Sequence, residues 1–331
     1  MRSKPARSAE DTRAVEPFVI ADTAVAPGAT ARVELRIARL PAGAWMPMSV
    51  LVVHGKRPGP TVWVNAAVHG DELNGVIAVR RLLAAAPPQR LRGTLLAVPV
   101  VNVFGVTIGS RYLPDRRDLN RSFPGARRGS LAGRLADLFF ESVVARCSVG
   151  VDYHTGSGGR FNLPQIRCNV DDLETMRLAH AFGAPLILHA PLRQGTLRAA
   201  ASKRGIRMLV YEAGEAGRLD SKSVSSGVHG MLRVLQGLDM LERAPKTRRP
   251  SLVARESHWL RAPRSGFWVS DVKVGKRVRS GQVVGMIVDA VGLSDKPVVS
   301  RESGLVIGLQ HTTAVHQGDA IVHVARIHSH E

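Results

Sequence analysis

Three short segments place metal-binding side chains beside hydrophobic strand patterns. In Val-His-Gly-Asp-Glu, His69 follows the uncharged, β-branched run Thr61–Val68, and Glu72 lies three residues on, where a helix over Glu72–Ala86 is expected to begin. An i, i+3 spacing lets both side chains converge on one point. Imidazole with carboxylate is a donor pair that suits zinc, although a surface histidine beside a helix N-terminal glutamate gives the same motif. In Val-Asp-Tyr-His-Thr-Gly, His154 follows the short hydrophobic run Val149–Tyr153; in Met-Leu-Val-Tyr-Glu-Ala-Gly, Glu212 follows Arg207–Tyr211. Ligands of open α/β sheets bind beyond the carboxyl ends of strands. Three such positions on one sheet are harder to assign to chance than one.

Two histidines and one glutamate leave a fourth metal position open, the mark of a catalytic rather than a structural zinc site. Zinc there lowers the pKa of water towards about 7, and a nearby free carboxylate can then take the proton. Glu212 fits that role, with Glu215 as its competitor. The ligand types favour zinc, and cobalt or manganese would also be accepted. A fourth segment, Ser110–Gly125, is dense in arginine around Asp-Leu-Asn-Arg. Guanidinium groups there would steady an oxyanion or hold a carboxylate in a two-pronged grip. The alternative is a basic surface loop, and Arg116, Arg117, Arg127 and Arg128 fit that description equally well.

The elements that must position these residues alternate. Strands are expected over Thr61–Val68, Thr94–Val101, Val149–Tyr153, Ala184–Leu188 and Arg207–Tyr211, and helices over Glu72–Ala86, Leu131–Cys147, Asp171–Phe182 and Ser221–Met240. That order predicts an α/β fold, a parallel or mixed sheet flanked by helices. Residues 1–17 read as a loose tail, 18–242 as the catalytic unit, and Leu241–Ser251, charged and with two prolines, as a linker. Residues 252–327 carry short β-rich runs and no helix signal. Ser265–Ile287 and Ser303–Val324 resemble one another loosely, which predicts two interlocking half-units in a small barrel or sandwich.

Bulk properties narrow the function. The 331 residues carry 46 Lys and Arg against 27 Asp and Glu, a net charge of +19, so an anionic partner is expected. The basic residues are dispersed and aromatics are only 5%, which argues against a nucleic-acid binder and for a small acidic ligand. Two cysteines make neither a disulfide framework nor a cysteine zinc site. The N-terminus lacks the apolar stretch of a secretory signal, and no run reaches the roughly 18 apolar residues of a membrane span. A cytoplasmic protein with no membrane association is the expectation, and a homo-oligomer is compatible with it. His323, His328 and His330 cluster near the C-terminus and read as solvated tail residues.

Taken together, His-Gly-Asp-Glu at 69–72, Arg111, Asp-Leu-Asn-Arg-Ser-Phe-Pro-Gly at 118–125, Asp-Tyr-His at 152–154 and Glu-Ala-Gly at 212–214 resemble the succinylglutamate desuccinylase/aspartoacylase family of the zinc carboxypeptidase superfamily. The resemblance spans about Phe18 to Met240. It implies a zinc carboxypeptidase-like fold with a C-terminal β domain and one zinc per chain on His69, Glu72 and His154. Glu212 would be general base and later proton donor, and Arg111 would polarise the scissile carbonyl. Asn120 with Arg121 would hold the substrate carboxylate, and Asp118 would orient His69. The implied reaction is removal of an acyl group from the nitrogen of a small anionic N-acyl amino acid. A carboxypeptidase acting on small peptides, or an ester hydrolase, is the alternative. The stretch between Arg111 and Asp118 is longer than in the aspartoacylase branch. The C-terminal repeat resembles a biotinyl/lipoyl-type barrel, but Pro297 follows Lys296 where a modified lysine would sit. A wall over the active-site mouth or an oligomer contact is the expected use of that unit.

Overall fold

The computed structural model describes residues 15–327 except 248 and 293. His328 and His330, and the first fourteen residues of the expected tail, lie outside the described residues.

A thirteen-stranded mixed sheet organises the chain. Its centre is parallel: Arg207–Glu215, Val149–Gly156, Arg57–Ala66 and Arg92–Val98 run side by side. Parallel strands are covered on both faces, so they are buried along most of their length; every residue of Val149–Gly156 is buried, the polar Asp152 and His154 included. Alternation along Arg57–Ala66 splits its side chains between two cores. Val62, Val64 and Ala66 pack with helices Asn74–Ala85, Leu173–Phe182 and Ser221–Gly237. Trp63 faces the other way, towards helices Leu131–Ser142 and Leu197–Lys203. Helices therefore flank the sheet on both sides, in agreement with the α/β expectation.

The helices begin where capping chemistry allows. Ser130, Asp172, Thr196 and Asp220 each accept a hydrogen bond from a backbone N–H in the first turn, satisfying donors that the helix itself leaves open. The expected helix from Glu72 instead starts at Asn74. Glu72 lies in a turn in which its own N–H bonds His69 O at 3.2 Å, so a turn and not a helix brings the two side chains together. The expected helix Leu131–Cys147 gives way after Ser142 to a single tight turn over Val144–Arg146.

Antiparallel strands extend both edges. On one side lies the long hairpin Thr30–Arg39 with Trp45–His54. On the other, Arg160–Cys168 pairs with Arg207–Glu215, and then Gly304–Gln310, Ala320–Ala325 and Ser257–Arg261 follow in order. The C-terminal β region therefore continues the same sheet. Its second layer has four strands: Lys296–Val299, Val283–Val288, Gly266–Ser270 and Ala314–Val315. The two repeats interlock, because Gly266–Ser270 pairs with Ala314–Val315 and Arg277–Val278 pairs with Gly304–Gln310. Among the described residues no helix is long and apolar enough to cross a membrane.

Gly150 sits directly opposite Trp63 in the ladder, and a Cβ at that position would fall 2.2 Å from the indole ring. Gly150→Ala is expected to overpack this contact and cost about 1–3 kcal/mol, read as a lowered urea midpoint. An unchanged midpoint would show that Trp63 is free to yield.

Candidate metal centre and its cleft

The centre forms where three neighbouring segments end together. His69 lies in the turn after Arg57–Ala66, held by Asn102 N–H donating to Ala67 O at 2.8 Å. His154 lies near the end of Val149–Gly156, and Glu212 is its register partner on Arg207–Glu215. Both strands run past these residues rather than stopping before them.

Ligand atoms of His69, Glu72 and His154 all lie within 4.8 Å of one another, and all three residues are buried. Glu72 is the hub. Its Oε1 faces His69 Nδ1 and its Oε2 faces His154 Nδ1, each at 2.8 Å. Thr155 N–H donates to Oε2 at 3.0 Å, and Arg111 Nη1 donates to Oε1 at 3.3 Å. The far nitrogen of each imidazole meets another carboxylate: His69 Nε2 lies 3.1 Å from Asp118 Oδ1, and His154 Nε2 lies 2.8 Å from Asp152 Oδ2. Asp152 is itself held by Asn65 Nδ2 at 2.6 Å, and Asn65 by Trp63 Nε1 at 2.8 Å. An imidazole whose remote nitrogen binds a carboxylate has a fixed ring orientation and a more basic ligating nitrogen. Both Nδ1 atoms are thus aimed at one point, with a carboxylate between them.

The electrostatics agree. Burial alone would raise the Glu72 pKa, but the charges of His69 and His154 hold it well below the ordinary range. Burial works against charge on His154, yet Asp152 and Glu72 outweigh it and raise its pKa well above the usual value. His69 is raised in the same way, chiefly by Glu72. The cluster favours positive charge between the two imidazoles. Two nitrogens and a carboxylate at that point are a donor set that fits zinc.

The adjoining cleft has a volume of about 300 Å³ and is lined by His69, Glu72 and His154 together with Arg111, Asn120, Arg121 and Glu212. Every residue to which the family resemblance gives a role lines it except Asp118, which stands behind His69. Arg111 is braced by Asp118, with Nη2 donating to Oδ2 at 2.9 Å. Asn120 accepts from Leu197 N–H through Oδ1 at 2.9 Å, and Arg121 is exposed at the mouth. Glu212 Oε2 accepts from Asn162 Nδ2 at 2.8 Å, and Arg167 Nη1 lies 3.7 Å from its Oε1. Glu215 instead pairs with His311 at 2.8 Å and does not line the cleft. Arg116, Arg117, Arg127 and Arg128 are exposed and do not line it either.

Other residues in or behind the cleft escaped sequence reasoning. Asp152 was visible in principle, since it stands two residues before His154 on a strand and so shares its face. Arg160, Asn162 and Arg167 lie on a strand that Pro164 and the polar residues disguise. Trp259 comes from the C-terminal region. His323 corrects the expectation of a solvated tail residue: it is buried and stacked on Trp259, ring centroids 4.3 Å apart.

A mixed sheet flanked by helices, with a cleft over the His69, Glu72 and His154 cluster, defines an α/β protein with a candidate metal centre. The family model of the succinylglutamate desuccinylase/aspartoacylase catalytic domain matches residues 58–238, and the chain belongs to that family. It is 27% identical over 299 residues to the N-alpha-acetyl-L-2,4-diaminobutyric acid deacetylase of Halomonas elongata, covering 86% of this chain and 87% of the relative. The crystal structure of a succinylglutamate desuccinylase/aspartoacylase from Rhodobacter sphaeroides superposes with a TM-score of 0.83 at 27% identity, over 90% of this chain and 96% of that one. The product-bound ectoine utilization protein EutE (DoeB) of Ruegeria pomeroyi shares the fold, with a TM-score of 0.81 at 23% identity over 89% of this chain and 95% of that one.

Two outcomes follow from this geometry. Asp152→Ala, which frees the His154 ring, is expected to weaken zinc binding about 10- to 100-fold, measured by competition with a chromophoric chelator; unchanged affinity would remove Asp152 from the centre. The second concerns stability. Burial first, then Arg167 and His258, depress the His323 pKa from 6.5 to about 3. Below pH 6.5 the unfolded chain takes a proton that the folded chain refuses, so stability falls as pH drops towards 3, by up to about 1.4 kcal/mol per pH unit. His323→Phe retains an aromatic ring against Trp259 and should shrink the difference between urea midpoints at pH 7.5 and pH 5. An undiminished difference would mean that His323 titrates normally.

Proposed function

We propose that the protein is a zinc-dependent deacylase that hydrolyses the amide bond of a small N-acyl amino acid. The observation that carries this reading is the convergence of His69 Nδ1, His154 Nδ1 and the Glu72 carboxylate at the floor of a cleft, with Glu212 beside His154 in the sheet register. Its volume of about 300 Å³ is at the small end of the range of roughly 300–1,000 Å³ for ligand sites, which suits one small molecule better than a long peptide. The relative from Halomonas, by name a deacetylase of an N-acetylated amino acid, supports the amide assignment.

Bound at His69, Glu72 and His154, zinc supplies Lewis acidity towards a carbonyl and a water. The chain's own groups do the rest. Arg121 and Asn120 hold the substrate carboxylate at the mouth and fix the amide relative to the floor. Arg111, pinned by Asp118 beside Glu72, offers positive charge where the carbonyl oxygen becomes an oxyanion. Glu212 accepts a proton from the attacking water and passes it to the departing nitrogen. Asn162 and Arg167 keep that carboxylate aimed. The products are a free carboxylate and an amine.

The test is turnover of N-acetyl and N-succinyl amino acids, N-alpha-acetyl-L-2,4-diaminobutyrate among them, by the zinc-loaded protein and by Glu212→Gln. The variant is expected to retain one zinc per chain and to lose turnover by about 100- to 10,000-fold. Full activity in Glu212→Gln ends the general-base assignment, and inactivity of the zinc-loaded wild type across the panel ends the deacylase reading.

A further inference from the structure

The large sheet ends on one side in an unpaired strand. Thr30–Arg39 pairs with Trp45–His54 and, among the described residues, with no strand beyond it. Proteins commonly blunt a long edge with proline, lysine, a bulge or a short strand. The segment Thr30–Arg36 contains neither proline nor lysine, and the bulge comes only after Arg36. The backbone shows which groups are free. His54 N–H donates to Ala29 O at 3.0 Å, and the register then runs without a shift from Thr30 opposite Val53 to Arg36 opposite Pro47. Opposed residues of an antiparallel pair alternate between bonded and non-bonded. Ala31, Val33 and Leu35 therefore bond to Trp45–His54, and Thr30, Arg32, Glu34 and Arg36 turn N–H and C=O outward. Side chains alternate as well: Val33 and Leu35 are buried in the core with helix Leu131–Ser142, while Arg32, Glu34 and Arg36 are exposed.

This segment is complementary to itself, and Val33 is its midpoint. Antiparallel pairing of two copies about Val33 sets Arg32 opposite Glu34 of the second copy, and Glu34 opposite its Arg32. Thr30 and Arg36 are opposed at either end. All of these residues carry the outward N–H and C=O groups, so they would exchange backbone hydrogen bonds. Opposite charges facing each other across strands are favourable, and like charges are not. A partner of uniform charge would meet Arg32 and Glu34 with one repulsion for each attraction; a second copy attracts both. Pro47, Ser49 and Leu51 oppose Arg36, Glu34 and Arg32 and share their face. A groove of about 550 Å³ lies there, with Arg32 at its rim and Pro47, Leu51, Val103 and Val106 among its walls. A twofold axis normal to the sheet puts both grooves on one face, so apolar surface flanks the ion pairs.

We propose that two copies of the chain pair antiparallel along Thr30–Arg36, about a twofold axis at Val33, to form a homodimer with one continuous sheet. The pairing shares no residue with the deacylase site.

The experiment is sedimentation equilibrium of the full chain, from low to high micromolar concentration, for wild type, R32E, E34R, R32E/E34R, R36E and E34P. Wild type is expected to shift from the mass of one chain to that of two. R32E and E34R each set like charges opposite one another twice per dimer, and should raise the dimer Kd by about tenfold or more, the equivalent of about 1.4 kcal/mol. R32E/E34R restores both opposite pairs and should recover the dimer. Mixed together, R32E and E34R should form a heterodimer although neither pairs with itself, a result that misfolding cannot produce. E34P removes an N–H that faces outward, and should leave a monomer with an unchanged far-ultraviolet spectrum. R36E faces Thr30 and should leave Kd within about twofold. Hydrogen exchange in Thr30–Arg36 should slow as wild type dimerises. A wild type that stays monomeric throughout overturns the proposal, even where a different protein or peptide binds the edge. A dimer indifferent to R32E, E34R and E34P overturns it too, because the contact is then another face. Loss of the dimer in R36E but not in R32E overturns the pairing about Val33.

Discussion

One buried carboxylate sets the geometry of everything around it. Glu72 is almost wholly buried, and four protein groups divide its two oxygens: two imidazoles, an arginine and a backbone amide, with two further acids behind the imidazoles. An isolated ionised carboxylate in such a place would be prohibitively costly. It is tolerable because positive charge is arranged around it. The arrangement is a chain from Trp63 through Asn65, Asp152 and His154 to Glu72, and on through His69 and Asp118 to Arg111. A hydrophobic core residue at one end is thereby connected to a cleft residue at the other. Packing of the sheet and aim of the ligands are the same problem solved once.

The parallel centre of the sheet makes that chain feasible. Asn65 and Asp152 are register partners on adjacent strands, as are His154 and Glu212. Backbone hydrogen bonds fix these pairs to within the tolerance that ligand geometry requires, and rigid elements hold sites better than loops do. Of the three candidate metal ligands only His69 and Glu72 come from a turn, and they are also the pair closest in sequence.

Much of the site was legible because its residues follow strongly apolar strands, where hydrophobic patterning is clearest. His69, His154 and Glu212 were placed together on that basis alone, and the expected α/β architecture with a β-rich C-terminal part is the one observed. What escaped notice did so for physical reasons. Arg160–Cys168 looks like a loop because Pro164 interrupts it and half its residues are polar, yet it is an internal strand. The turn at Glu72 reads as helix because its acidic residues are those a helix N-terminus favours. The contribution of Trp259 could not be read at all, since only strand pairing shows that the C-terminal region touches the cleft. Of the arginine-rich segment, composition could not separate Arg111 and Arg121, which line the cleft, from Arg116 and Arg117, which do not.

The continuity of the sheet has a consequence for how such a protein can change over time. In a chain of separable modules, recognition can be altered by exchanging one module for another. Here Gly304–Gln310 is hydrogen-bonded to the strand that carries Asn162, so anything that shifts the C-terminal strands also shifts the partner of Glu212. The C-terminal wall of the cleft and the support of Glu212 share a backbone ladder. Substitution of side chains facing the cleft from the C-terminal strands is then a gentle route to new substrates, whereas insertion or deletion of even one residue in those strands would flip the rung and disturb the chemistry along with the preference.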